Sequence, residues 1–366
     1  MTASSGCRRI SSGQPIYPRP SVRGGFGYDL KALDACLRLS GANPPVNVPE
    51  RMKRCAIFLG NKEDGHFRPR ATAFAVSVTE EEIEFRYMVT AEHNIVGFMQ
   101  KNWELWVRTN LTTGGAREEK LALDGWWFHP DNEAAPTDVA VSPVTRRGDD
   151  ELMTLALNGP QDIAGRFEVL QSRDIGIGDE VSITGLFRSH YGRERNVPII
   201  RIGNIAMMRG EPVYTDYCGL TDAYLIEARS ISGLSGSPVF VNVSPVAIRP
   251  QLQFATGQRF LLLGLMHGHF DIKNLNEDVV LDDERDGTTG INTGIGVVIP
   301  VEKIIETVNQ PELIEMRRKA VKEHRESRGA TPDFADDPPS TDANPKHRED
   351  FTALVNEAAR KPRQDD

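Results

Sequence analysis

The chain has 366 residues, long enough for one large domain or two packed halves. Hydrophobic residues make up 39 % and charged residues 26 %, the balance of a soluble globular protein. A net charge of -9 excludes a nucleic-acid binder that relies on a basic surface.

At the N-terminus Arg8 and Arg9 are followed by Ser, Gln, Pro and Tyr rather than by an apolar stretch, so no secretory signal is expected. Residues 1–27, rich in Ser, Gly, Pro and Arg, read as a disordered extension. In "YDLKALDACLRL", residues 28–39, Leu30, Leu33, Cys36 and Leu37 share one helical face, and "GANPPVNVPE" stops that helix. From Cys55 to Pro300 the pattern changes to short apolar or alternating runs broken by Gly, Pro, Asn and Asp. A first group comprises "CAIFLG", "TAFAVSV", "EFRYMVTA", "ELWVRT", "LALDGWWF" and "DVAVSPV". A second comprises "DEVSITGLF", "VPIIRIGNIAMM", "AYLIEAR", "SPVFVNV", "FLLLGLMHG" and "GIGVVIP". These residues suit a pleated, half-buried surface, and many short strands with turn signals predict barrels or a sandwich. The polar connector "TRRGDDELMTLALNGPQDIAGRF" separates the groups and suggests two β-halves, although no sequence repeat relates them.

After Pro300 the period becomes helical, with Val301, Ile304, Ile305 and Val308 in one stripe and a charged, helix-favouring stretch over residues 312–328. "GATPDFADDPPSTDANPKH" reads as a linker. In "DFTALVNEAARK", Phe351, Leu354, Val355 and Ala358 make an apolar stripe: a tail helix that packs locally, or docks on a partner or on this protein's own surface. The expected organisation is an N-terminal extension over 1–50, a first β-barrel over 51–145, a connector and second β-barrel over 146–308, and a charged helix, linker and tail helix over 309–366. No run of about 18 apolar residues occurs, so no membrane span is expected and a cytoplasmic location is. Cys7, Cys36, Cys55 and Cys218 are scattered with no CxxC pair, which predicts free thiols.

The chemistry centres on "ISGLSGSPVF", residues 231–240, where Ser235 stands between Gly233 and Gly236 immediately before an apolar strand. A serine hydroxyl is a poor nucleophile and needs a base, a group that orients the base, and donors for the oxyanion that forms. "YMVTAEHNI" puts His93 just past a strand end. "APTDVAVSPV" puts Asp138 at the head of an apolar run, where an unpartnered carboxylate is costly to bury. The order His93, Asp138, Ser235 is that of chymotrypsin and differs from those of subtilisins and α/β-hydrolases.

On these residues the sequence resembles the trypsin/chymotrypsin-like serine proteases, particularly the bacterial trypsin-like peptidases. "TAEH" is similar to their histidine motif, "DVAV" to their aspartate motif and "GLSGSP" to their serine motif. "LLGLMHG" and "GIGVVIPV" resemble the two strands that follow the nucleophile, so the resemblance spans about residues 54–308. It implies an all-β fold of two six-stranded antiparallel barrels, with His93 and Asp138 from the first, Ser235 from the second, and the site in the cleft between them. It implies a serine endopeptidase in which Ser235 attacks the scissile carbonyl, His93 relays its proton and Asp138 fixes the imidazole tautomer. The N–H groups of Gly233 and Ser235 would form the oxyanion hole. The substrate would be a protein or peptide, and the chemistry needs no cofactor.

The sequence departs from the family pattern at several points. Leu234 stands where secreted relatives carry the Asp that pairs with a new N-terminus, so activation by that ion pair is not expected. Ser237 replaces the usual second glycine, Glu92 replaces a small residue and is expected to point away from the base, and "RATAF" lacks the usual glycines. None of these removes a catalytic atom. A catalytically inactive trypsin-like fold acting as a protein-binding module is the alternative, and a protease held off by its own termini is a third reading. By the same resemblance Arg229, Ser230, Ile231 and Ser232, with His267, Gly268 and His269, would line the first specificity pocket. Arg229 and the histidines would favour an acidic side chain before the cut bond; with Arg229 in solvent the pocket would take small or apolar residues. "HGHFD" has no further ligands in register, so no metal site is expected. The acidic run "EDVVLDDERD", residues 277–286, reads as a solvated loop.

Overall fold

The apolar runs between Cys55 and Pro300 become strands, and the charged stretch after Pro300 becomes helix. The computed structural model describes residues 48–131, 136–145, 147–228, 233–243, 260–273 and 290–329. All but Val48 belong to one unit, Pro49–Asp366. The expected helix over 28–39, the acidic run 277–286, the linker past Gly329, the tail helix at 351–358, and Arg229 to Ser232 lie outside the described residues.

The first half opens with helix α1 (Glu50–Arg54) and strands β1 (Ala56–Glu63), β2 (His66–Glu80) and β3 (Ile83–Thr90). Helix α2 (Glu92–Gln100) follows, then β4 (Leu105–Asn110), β5 (Ala116–Leu121), β6 (Trp127–Phe128), β7 (Ala140–Val144) and β8 (Leu155–Ala156). They form one eight-stranded sheet in the order β5-β4-β1-β2-β3-β7-β6, with β8 paired in parallel to β2. Residues 71–78 of β2 are buried on both faces, which is why "ATAFAVSV" mixes small and apolar side chains without polar alternation. Ile57, Leu59, Met88, Ile95, Phe98 and Leu105 fill the core under this sheet. Each such side chain contributes about 1.5–3 kcal/mol relative to exposure.

In the second half helix α3 (Phe167–Ser172) precedes β9 (Glu180–Gly185) and β10 (Ile199–Met207). A separate hairpin, β11 (Val213–Thr215) and β12 (Gly219–Thr221), leads to β13 (Tyr224–Glu227), β14 (Pro238–Asn242), β15 (Phe260–Lys273) and β16 (Gly290–Pro300). Six of these close a barrel in the order β10-β13-β16-β15-β14-β9, and every pair in it is antiparallel. Closure removes the unpaired edges that an open sheet leaves. The six barrel strands are the six runs read from the sequence. The first half differs from the expected six-stranded barrel: among the described residues its path of seven strands, with β8 beside β2, does not close on itself. The end strand β5 is the charged run "AREEKL", half in solvent, so apolar patterning does not reveal it.

Helices α4 (Val301–Val308) and α5 (Pro311–Gly329) lead back onto the first half. Val301, Ile304 and Val308 of α4 are buried as the stripe predicts, with Thr307 beside them and Ile305 only half-buried. Arg317 of α5 is buried with its charge satisfied, as burial demands. Its guanidinium donates to Tyr87 Oη at 2.9 Å, to the Val308 carbonyl at 2.6 Å and to Glu80. No described helix is long and apolar enough to cross a membrane.

Candidate active site

Antiparallel pairing of β3 with β7 sets Val89 against Val141 and Thr90 against Ala140. The end of β3 and the start of β7 therefore lie side by side, and the residues just outside them meet. Past the end of β3, Ala91 is extended and α2 begins, with His93 in its first turn. First-turn N–H groups have no partner within their helix. The His93 N–H donates to Asp138 Oδ1 at 2.9 Å, and the His93 ring nitrogen Nδ1 lies 2.8 Å from Asp138 Oδ2.

Asp138 is fully buried. Burial alone would raise its pKa, but the positive charge that His93 can carry and the hydrogen bond from His267 hold it well below the usual carboxylate range. For His93, burial favours the neutral ring, yet the Asp138 carboxylate and then Glu92 leave its pKa above the ordinary imidazole value. The pair thus favours a proton on Nδ1 and leaves Nε2 to accept another.

Ser235 Oγ lies 2.7 Å from His93 Nε2, and 3.3 Å from Asn94 Oδ1 as a longer alternative acceptor. Its turn is held from both halves. The Gly236 N–H donates to the Met266 carbonyl, and the Ser237 N–H to the Leu234 carbonyl. From β2, the Thr72 N–H donates to the Ser235 carbonyl at 3.1 Å and its hydroxyl to the Gly233 carbonyl at 2.8 Å. Thr72 lies in "RATAF", the run that lacks the usual glycines. The backbone N–H groups of Gly233 and Ser235 have no acceptor among the described residues.

The two glycines beside Ser235 serve geometry. Gly233 has φ +102° and Gly236 has φ +80°, a region that side chains with a Cβ rarely enter. A Cβ on Gly236 would lie 2.2 Å from the Thr72 carbonyl oxygen and 2.3 Å from Thr90 Oγ1, because the turn presses against the first half there. Gly236→Ala is therefore expected to lower the unfolding free energy by about 3 kcal/mol, combining backbone strain with overpacking. Urea unfolding at equilibrium checks this; a loss within error of zero would mean the turn is not held against Thr72.

The departures from the family pattern find places. Leu234 is buried in the core of the barrel, so it supplies packing where an acid would need a partner. Ser237 is fully buried and fits because Gly185 leaves room: a Cβ there would lie 2.0 Å from Ser237 Oγ. Glu92 does not point away as expected. It is only 7 % exposed, and its charge, after burial, pushes up the pKa of Tyr217 at the turn of the β11–β12 hairpin. The Tyr217 ring stands edge-on to His93 with centroids 5.4 Å apart. Cys218, next to it, is a buried free thiol whose pKa burial and then the charge of Asp138 push up to about 11. No local signal in the sequence marks Tyr217 as a neighbour of His93.

The expected pocket residues separate. Gly268 borders open space, and His269 beside it is half-buried. His267 has its Nδ1 on Asp138 Oδ2 and its ring edge-on to His93, 5.5 Å between centroids. Its ring is thus held on the triad carboxylate, a contact that the pocket role expected of it does not include.

His93, Asp138 and His267 are close enough together for metal ligands. Zinc needs about 2.0 Å to each ligand atom, and the hydrogen-bonded contacts to Asp138 Oδ2 leave no room for it. His129, Asp131 and Glu306 also converge, but His129 Nε2 and Lys303 Nζ already share Glu306 Oε2, each at 2.8 Å, and the ammonium opposes a cation.

No protein-family model matches the sequence, and no curated protein does. Among solved structures it is similar to the apo MamO protease domain from Magnetospirillum magneticum, at 13 % identity and TM-score 0.39 over 71 % of this chain and 98 % of that one. It is similar to Deg5 at 14 % identity and TM-score 0.39, over 71 % and 89 %. The HtrA-type protease AlgW with decapeptide gives 17 % identity and TM-score 0.41, over 73 % and 66 %. These neighbours are HtrA/Deg-type, trypsin-like serine proteases.

Proposed function

We propose that this chain is a serine endopeptidase that cuts peptide bonds through an acyl-enzyme intermediate. One observation carries the reading. Ser235 Oγ lies 2.7 Å from His93 Nε2 while His93 Nδ1 is held 2.8 Å from the buried Asp138. In that arrangement Ser235 Oγ bonds to the scissile carbonyl carbon as His93 Nε2 takes the hydroxyl proton. The oxyanion is received by the N–H groups of Gly233 and Ser235, where losing one donor typically costs about 10²–10³ in turnover. The C–N bond then breaks and Nε2 returns the proton to the leaving amine. Water repeats the sequence on the ester and restores Ser235. Asp138 keeps the proton on Nδ1 and stabilises the imidazolium; it does not itself take the proton.

The test is a fluorophosphonate probe on the full chain, read by intact mass and peptide mapping. The expected result is one adduct on Ser235, absent from Ser235→Ala, with cleavage of casein or of a peptide library by the unlabelled protein. A chain that takes no probe and cuts nothing, or an adduct that persists in Ser235→Ala, would overturn the reading.

A further inference from the structure

Along β15, Met266 pairs with Val298 and Gly268 with Val297, so His267 is the extra residue of a β-bulge. A bulge leaves its residue outside the ladder and re-aims the side chain. The residue before it ties this segment to the nucleophile: Met266 accepts the Gly236 N–H and donates to the Ser237 carbonyl, both at 2.8 Å. From the bulge the His267 ring, 11 % exposed, reaches the fully buried Asp138. Asp138 is ionised, so the ring nitrogen facing it carries the proton and donates.

The carboxylate then receives three N–H donors. Two belong to His93, one to each oxygen, and the third is His267 Nδ1 on Oδ2. With His93 alone the carboxylate and imidazole could tilt together, because both stand on the first half. His267 stands on the same bulged segment that holds the Ser235 turn. We propose that His267 is a positioning residue: it holds the Asp138 carboxylate, and through it the His93 ring, in line with Ser235. The role rests on the serine-protease reading above and adds a fourth side chain to it. Misplacing reacting groups by about 1 Å can cost about 10²-fold, which sets the expected effect.

The experiment uses the full chain and the variants His267→Ala and His267→Asn, the second keeping an N–H donor close to where Nδ1 stands. The fluorophosphonate labelling rate, and kcat and KM on a library-selected peptide, are measured beside circular dichroism. His267→Ala is expected to label about 10²-fold more slowly, with kcat reduced and KM unchanged. His267→Asn is expected to recover about tenfold of that loss. Labelling of His267→Ala at the wild-type rate would overturn the proposal, as would a change confined to KM. Nitrogen-15 histidine NMR of the wild-type chain decides the matter without activity and without a folded variant. Its expected result is a proton on His267 Nδ1 and a downfield His93 Nδ1–H. A His267 protonated only on Nε2 would overturn the positioning role. A wild-type chain that takes no probe yet shows both protons would sink the protease reading and leave the Asp138 anchor standing.

Discussion

His93→Ala is expected to lower peptide hydrolysis by about a millionfold. The ring does two jobs at once. Nε2 takes the Ser235 proton over 2.7 Å, and Nδ1 keeps the resulting cation beside Asp138. Among the described residues alanine leaves Ser235 with only Asn94 Oδ1 at 3.3 Å, and a neutral amide oxygen is too weak a base to deprotonate a hydroxyl. Because nucleophile and base act as one unit, the double variant His93→Ala/Ser235→Ala is expected to be no slower than either single one. Single-turnover assays on a library-selected peptide read both numbers, with circular dichroism as the check on folding. A loss below about tenfold in His93→Ala would mean that another group serves as base, and additive losses in the double variant would mean that the two residues work apart.

The reach of sequence reasoning at this site follows from locality. His93, Asp138 and Ser235 each stand at a strand terminus with a nearby signature: a β-run ending in "TAEH", a carboxylate heading an apolar run, a serine between glycines. Pairing of β3 with β7 then makes neighbours of two of them. The six strands of the barrel were legible for the same reason, since each is an apolar run ended by turn residues. What escaped depends on contacts distant in the chain. His267 sits in "LMHGHF", whose alternation suggests a residue facing the cleft, but one bulge shifts the period and turns the ring onto Asp138. Glu92 looks like a surface charge until the β11–β12 hairpin brings Tyr217 to it. Strand β5 offers no apolar run to read, because an edge strand can carry charge on the ladder that ends the sheet.

Asp138→Asn is expected to lower kcat by about 10⁴-fold with little effect on KM. The amide replaces two equivalent acceptors by one oxygen and one NH₂ group. One carboxylate oxygen faces the His93 backbone N–H, which cannot give up its proton; the other faces the rings of His93 and His267. With the amide oxygen on the ring side, its NH₂ would confront the fixed backbone donor. The favoured orientation therefore turns the oxygen to the backbone and the NH₂ to the rings. His93 must then present a lone pair on Nδ1 and carry its proton on Nε2, where Ser235 needs an acceptor. The same flip removes the donor role of His267, so one substitution disables both imidazoles. Nitrogen-15 NMR of labelled histidine is expected to show the His93 proton moved from Nδ1 to Nε2, alongside the fall in kcat. If Asp138→Asn kept more than about a tenth of wild-type turnover, the buried carboxylate would be a packing feature, and the tautomer of His93 would be set by something else.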